Sequence, residues 1–107
     1  MTRWGFVLKV RKDCIEEYRR HHQTVWPEML AALKRHGYCN YSLFLREDGL
    51  VFGYVETDVD LKTARAGMAG EEVNSRWQAL MASLREALDK DHPDVNQVVL
   101  EEVFHLD

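Results

Sequence analysis

A histidine placed where a helix would carry a hydrophobic residue is the first candidate for chemistry in this chain. An α-helix turns by about 100° per residue. A helix over residues 14–36 would therefore set His22 within an apolar stripe of Ile15, Tyr18, Trp26, Met29 and Leu33. An imidazole, whose ordinary pKa is about 6.5, both accepts and donates protons near neutral pH. His22 is thus a candidate general acid or base.

Two neighbours on the same helical face favour a small polar pocket around this histidine. Tyr18 lies four residues before His22 and Trp26 four residues after it, so a hydroxyl and an indole N–H would flank the imidazole. Pro27 lacks a backbone N–H and either kinks this helix or begins a second one, which leaves the position of Trp26 open. The competing interpretation is a buried structural histidine hydrogen-bonded to a backbone carbonyl.

The size and composition of the chain favour one globular domain over residues 1–107. The chain is 46% hydrophobic with two prolines, which is enough to form a core. Its net charge is −4 and it has no cluster of Lys and Arg, which argues against a nucleic-acid partner. No apolar run fits a signal peptide or the roughly 20 residues of a membrane span. We therefore expect a soluble, cytoplasmic protein without a membrane partner.

The cysteines and histidines lack the spacing of a metal site. Cys14 and Cys39 belong to no CxxC motif and are predicted to be free thiols. No two histidines have the i, i+4 spacing of a helical zinc site. The sequence also has no glycine-rich phosphate loop and no GxSxG motif. These patterns predict no metal and no bound nucleotide.

Hydrophobic periodicity and turn residues predict the elements that position His22. Strands are predicted over residues 4–10, 38–46, 50–56 and 97–106, with a hairpin turn at Asp48-Gly49. Helices are predicted over 14–36, Leu61–Ala69 and 71–89. Asp13 is the predicted N-cap of the first helix and Gly37 its C-terminal stop, and residues 90–96 form a predicted loop.

The order β-α-β-β-α-β with an extra helix predicts an α+β, ferredoxin-like fold. Right-handed crossovers place the helices on one face of a four-stranded sheet and leave the other face bare. Because several strands carry apolar side chains on both faces, the bare face would expose a large apolar patch. A homodimer in which two sheets pack together is therefore expected.

An ordered set of segments spans nearly the whole chain: Glu17-Tyr18 to Arg20-His21-His22, Trp26-Pro27-Glu28, Gly37 through Asn40-Tyr41-Ser42, Arg76-Trp77, and Glu101-Glu102-Val103-Phe104-His105-Leu106. These segments give the chain its resemblance to the L-rhamnose mutarotase family. It implies a dimeric α/β barrel of ferredoxin-like subunits that interconverts the α and β anomers of L-rhamnose or a similar neutral aldopyranose without a cofactor.

The same resemblance implies roles for particular residues. His22 would be the proton donor, and Tyr18, Tyr41 and Trp77 would contact the sugar. The chain departs from the family pattern at Gln78, where family members carry a second tryptophan. An amide there can bind a sugar hydroxyl but loses stacking area, so the sugar preference could differ from L-rhamnose.

The residue pattern alone leaves other interpretations open. Tyr41 shares its predicted strand face with Cys39 and Leu43, and Trp77 shares a helical face with Leu80, so without the resemblance both are better explained as core residues. The predicted pocket wall of Tyr18, Tyr41 and Trp77 contains no cation, which favours a neutral sugar. Two other functions fit the same fold: a cofactor-independent monooxygenase, and a small-ligand-binding dimer without catalysis.

Overall fold

The computed structural model describes residues 1–88 and 97–107 and has the predicted α+β architecture. Its strands are β1 (Thr2–Val10), β2 (Tyr38–Leu45), β3 (Leu50–Thr57), β4 (Arg85–Glu86) and β5 (Gln97–Leu100). Its α-helices are α1 (Ile15–Gln23), α2 (Pro27–Arg35), α3 (Leu61–Ala69) and α4 (Glu72–Ala82). The predicted loop over residues 90–96 lies outside the described residues.

One antiparallel sheet carries the fold. The strand order is β2-β3-β1-β4, and β5 also pairs with β1. β4 and β5 both lie along the edge of β1 that does not face β3, with Val10 opposite Arg85 and Leu8 opposite Gln97. This order confirms the ferredoxin-like prediction.

The core lies between one face of the sheet and the helices. Alternate residues of β1, namely Phe6, Leu8 and Val10, are buried together with Val51 and Val55 of β3. Buried side chains of α1, α2, α3 and α4 complete the same cluster. Such burial of apolar side chains is the main driving force for folding.

The first predicted helix is two helices. A 3-10 turn over Lys12–Cys14 precedes α1, so Asp13 is not the N-cap that the sequence predicted. Between α1 and α2 the chain leaves the helical path, and Pro27 is the first residue of α2. Proline favours this position because an N–H there would have no helical acceptor. Trp26 therefore does not continue the stripe of Tyr18 and His22.

Two glycines form the turns that the sequence predicted. Gly37 (φ +91°) follows the last residues of α2, and Gly49 (φ +97°) lies in the hairpin between β2 and β3. A Cβ on Gly49 would lie 2.2 Å from the backbone oxygen of Val10, so glycine is required there. The Asp48 carboxylate strengthens the turn by accepting a hydrogen bond from the backbone N–H of Leu50.

Two predicted elements were too long. The helix predicted over 71–89 ends at Ala82, and Arg85 instead pairs with β1. The strand predicted over 97–106 ends at Leu100, which lies opposite Gly5 near the start of β1. Beyond that point little of β1 remains to pair with. Residues 101–107 have no regular structure, and Val103 and Phe104 are 86% and 78% exposed.

Both faces of the sheet carry apolar residues, as predicted, but only one is covered within the chain. On the face away from the helices, Phe44 is 59% exposed and Phe52 is 41% exposed, with ring centroids 6.2 Å apart. Val98 and Leu100 extend this apolar surface. None of the helices in the described ranges is both long and apolar enough to cross a membrane.

Candidate active site

A pocket of about 680 Å³ opens between the helices and the covered face of the sheet. This is within the range of small-molecule sites. Three of the predicted site residues, Tyr18, His22 and Trp77, line it from α1 and α4. Tyr41 lines it from β2, and Gln78 lies at its exposed rim. The structure thus brings all five predicted site residues together.

His22 is held at the pocket wall by its own helix. Its Nδ1 atom lies 2.8 Å from the backbone oxygen of Tyr18, one turn earlier in α1. A carbonyl oxygen only accepts, so Nδ1 carries the proton and Nε2 is the ring nitrogen left for a ligand. Burial lowers the pKa of His22, and nearby Arg85 and His21 lower it further, although the bond to Tyr18 opposes them. The neutral imidazole is therefore favoured at neutral pH.

Aromatic contacts fix the imidazole on two sides. The ring of Tyr18 lies 4.2 Å from that of His22 between centroids, and Trp77 meets it edge-on at 5.3 Å and 81°. Trp77 packs in turn against Trp26 at 5.1 Å and 85°. Trp26 is not among the described residues that line the pocket, so its role is to support Trp77 from behind. The sequence left the position of Trp26 open, and the structure places this residue behind Trp77 and outside the described pocket lining.

Tyr41 reaches the pocket because of a bulge in β2. The pairing with β3 shifts between Cys39 and Ser42, where Asn40 has φ +46°. The bulge places Tyr41 beside Tyr38, with ring centroids 6.0 Å apart and planes at 23°. Cys39 instead pairs with Glu56, whose neighbours Tyr54 and Arg3 lie on the uncovered sheet face. The predicted face shared by Tyr41 and Cys39 was therefore wrong.

The two predicted site tyrosines, Tyr18 and Tyr41, remain protonated at neutral pH. Burial raises the pKa of the Tyr18 hydroxyl, and Arg85 opposes the shift. Tyr41 is 41% exposed as a residue, yet burial of its hydroxyl end raises the pKa of that group strongly, and Tyr18 and Tyr38 add to the effect. Both phenols are thus available as neutral hydrogen-bond donors.

The pocket also contains cations that the sequence interpretation missed. Arg85 of β4 and Arg65 of α3 line it, together with Asn74 of α4. The prediction of a wall without a cation was therefore wrong. Arg85 gave no signal because the end of α4 is marked by neither Gly nor Pro, so the predicted helix ran through it. Within residues 1–88 and 97–107, no group of three or more His, Cys, Asp or Glu side chains is arranged to hold a metal ion.

Fold and site together define a ferredoxin-like half-barrel enzyme with a histidine in an aromatic pocket. The family model of L-rhamnose mutarotase matches residues 3–106. Among related sequences, the L-rhamnose mutarotase of Oceanobacillus iheyensis is 38% identical and that of Bacillus subtilis 41% identical, each over 100% of both chains. The chain belongs to the L-rhamnose mutarotase family, whose members are isomerases.

A solved structure agrees with this assignment. The crystal structure of an L-rhamnose mutarotase from Formosa agariphila has a TM-score of 0.80 and 27% identity, with 100% of both chains covered. An antibiotic biosynthesis monooxygenase has a TM-score of 0.61 and 14% identity, covering 96% of this chain and 99% of its own. The second similarity reflects the fold alone. The alternative of a monooxygenase is therefore not favoured.

Proposed function

We propose that residues 1–107 form a single mutarotase domain that interconverts the anomers of L-rhamnose, with His22 as the catalytic acid and base. The observation that carries this proposal is the position of His22 at the pocket wall, with Nδ1 bonded to the Tyr18 carbonyl and Nε2 left for a ligand. One ring nitrogen is thereby fixed and the other is available for proton transfer.

The reaction begins with the neutral imidazole. Nε2 of His22 accepts the proton of the anomeric hydroxyl, the bond between C1 and the ring oxygen breaks, and a C1 aldehyde forms. The imidazolium then gives the same proton to the ring oxygen. Rotation about C1–C2 and the reverse transfers close the ring from the other face, so no atom or electron is gained or lost.

The family resemblance implies that His22 is a proton donor, for which the imidazolium would act first, whereas the desolvated environment of His22 favours the neutral form as the resting state. A pKa below the ordinary value also makes the transient imidazolium a stronger acid, which suits protonation of the ring oxygen. Tyr18 and Tyr41 hold sugar oxygens as neutral donors. Trp77 lies against an apolar face of the sugar, as the family resemblance implies.

The functional unit in this proposal is a cytoplasmic homodimer that completes an α/β barrel. A second copy covers the uncovered sheet face, where Phe44 and Phe52 are exposed. The exposed apolar side chains of residues 101–107 provide further contact area for that copy. The interface should exceed about 1,000 Å², as stable interfaces do. Sedimentation at micromolar concentration tests this, and a stable monomer would contradict it.

Saturation transfer between the two anomeric protons of L-rhamnose tests the activity at neutral pH. Catalytic amounts of the protein should increase the transfer in proportion to protein concentration. Binding of the sugar without increased transfer would indicate the non-catalytic ligand-binding dimer, and oxygen uptake with an aromatic substrate would indicate the monooxygenase.

A further inference from the structure

Arg85 brings into the pocket a buried N–H donor that has no acceptor in the described part of the chain. β4 places it opposite Val10, whose side chain is buried on the helix-covered face of the sheet. Its Nε atom is buried and has no hydrogen-bond partner among the described residues. Buried polar groups are nearly always paired, so an unpaired donor in a ligand pocket points to an acceptor on the ligand.

A directed chain of hydrogen bonds holds the guanidinium in place. Nη1 of Arg85 donates to Oε1 of Gln78 at 3.2 Å. Since a guanidinium only donates, the amide nitrogen of Gln78 faces the other way and donates to Oδ1 of Asn74 at 3.2 Å. The Asn74 amide nitrogen donates in turn to the backbone oxygen of Met68 at 3.0 Å. The chain therefore ends on the helix backbone and fixes every orientation along it.

Among the described pocket residues, the charge of Arg85 has no acidic counterpart. None of the described residues that line the pocket is an aspartate or glutamate. The positive charge acts on the surrounding site instead, where it lowers the pKa of His22 and opposes the rise in the pKa of Tyr18 and Tyr41. An oxygen acceptor of the ligand is the group that would pair with it.

We propose that Arg85 is a substrate-binding residue whose Nε donates a hydrogen bond to a hydroxyl oxygen of the sugar, with Gln78 as the positioning residue that holds the guanidinium. The inference rests on the proposed function and extends it to sugar recognition. It also gives a role to the amide that stands where the family pattern has a second tryptophan. In this chain a hydrogen bond from Arg85 takes the place of the stacking area that a tryptophan at position 78 would offer. The pocket therefore selects for a sugar with an acceptor oxygen close to Arg85.

The test measures anomer exchange of L-rhamnose by the wild-type protein and its variants. Arg85→Met should lower kcat/KM about 10- to 100-fold, mainly through KM, as expected for a lost hydrogen bond to a charged group. The loss of exchange activity at acidic pH should set in at a higher pH in this variant, because the charge that lowers the pKa of His22 is gone. Gln78→Leu should raise KM by a smaller factor. Arg46→Met, which removes only an exposed pair with Asp48, is the matched control.

Arg85→Lys retains a positive charge but not Nε. Its exchange activity should therefore fall over the same acidic pH range as that of the wild type, while its KM should still be raised. This variant also decides the matter if Arg85→Met does not fold. An unchanged KM in a folded Arg85→Met or Arg85→Lys protein would overturn the inference while leaving the proposed function intact. Wild-type protein without any exchange activity would refute the proposed function itself.

Discussion

Replacing His22 with alanine should abolish catalysis and leave the fold nearly unchanged. The substitution removes the hydrogen bond from Nδ1 to the Tyr18 carbonyl, which lies at 2.8 Å and contributes about 1 kcal/mol. That carbonyl lies within α1, where a backbone N–H one turn later also binds it, so no buried acceptor is left unpaired. Alanine recovers up to about 0.7 kcal/mol through its higher helix propensity.

The side chain of His22 also borders an existing pocket, so truncation enlarges an open space and does not create a dry cavity. The net loss of stability should therefore stay below about 1 kcal/mol, which corresponds to a fall in Tm of no more than about 4–8 °C. The rate of anomer exchange should fall by about 10²–10⁴-fold, the contribution of one positioned acid or base.

His21→Ala is the matched control, since His21 faces Glu17 at 3.6 Å and is not among the described pocket residues. It should retain nearly the full exchange rate. Thermal melts and NMR exchange measured on both variants decide between the two interpretations of His22. A large fall in Tm with full activity in the folded fraction of His22→Ala would show that the histidine is structural, and the catalytic reasoning would be refuted.

Three further predictions follow from the pKa of His22, the packing of β3 and the uncovered sheet face. Burial lowers the pKa of His22 in the folded protein, so the unfolded chain binds the proton at a higher pH than the folded protein does. The free energy of unfolding of the wild type should therefore fall relative to that of His22→Ala as the pH drops below about 6.5. Denaturant titrations in which both free energies change equally with pH would contradict this. Gly53→Ala should destabilise the protein by about 1–3 kcal/mol because its Cβ would lie 2.1 Å from the ring of Phe6, a pocket residue. Gly70→Ala should be nearly neutral in the same denaturant titration, since its Cβ would meet only a carbonyl oxygen at 3.6 Å, and equal losses in the two variants would contradict the packing. Phe44→Glu should shift the sedimentation of the proposed dimer to that of a monomer, and an unchanged dimer would place the interface elsewhere.

Local sequence patterns predicted the elements whose limits are set by local chemistry. The Asp48-Gly49 turn and the end of α2 before Gly37 were predicted correctly because glycine readily adopts the positive φ angles that these turns require. His22 and Tyr18 were placed correctly on one face because α1 has ordinary helical periodicity there. Pro27 marked the break between α1 and α2, but the sequence could not decide between a kink and a new helix.

Contacts between distant parts of the chain explain what the sequence could not predict. The position of Arg85 depends on its pairing with Val10, and no local signal ends α4 before it. The bulge that brings Tyr41 to the pocket is a property of the β2–β3 register, although an asparagine within a strand was a usable hint because it tolerates positive φ. The alternating pattern continues to Leu106, but beyond the pair of Leu100 and Gly5 only Thr2–Trp4 of β1 remain, so most of the predicted extension has no partner strand in β1.

The most direct test of the catalytic role of neutral His22 is the rate constant of α–β exchange of L-rhamnose with the wild-type protein, measured by NMR from about pH 5 to 8. The account predicts exchange proportional to protein concentration, with a rate that is constant above the pKa of His22 and falls as the pH drops through it. That pKa should lie below the ordinary value of histidine, because burial lowers it. An exchange rate equal to that in buffer alone, or one that rises as the imidazolium forms, would contradict the central claim.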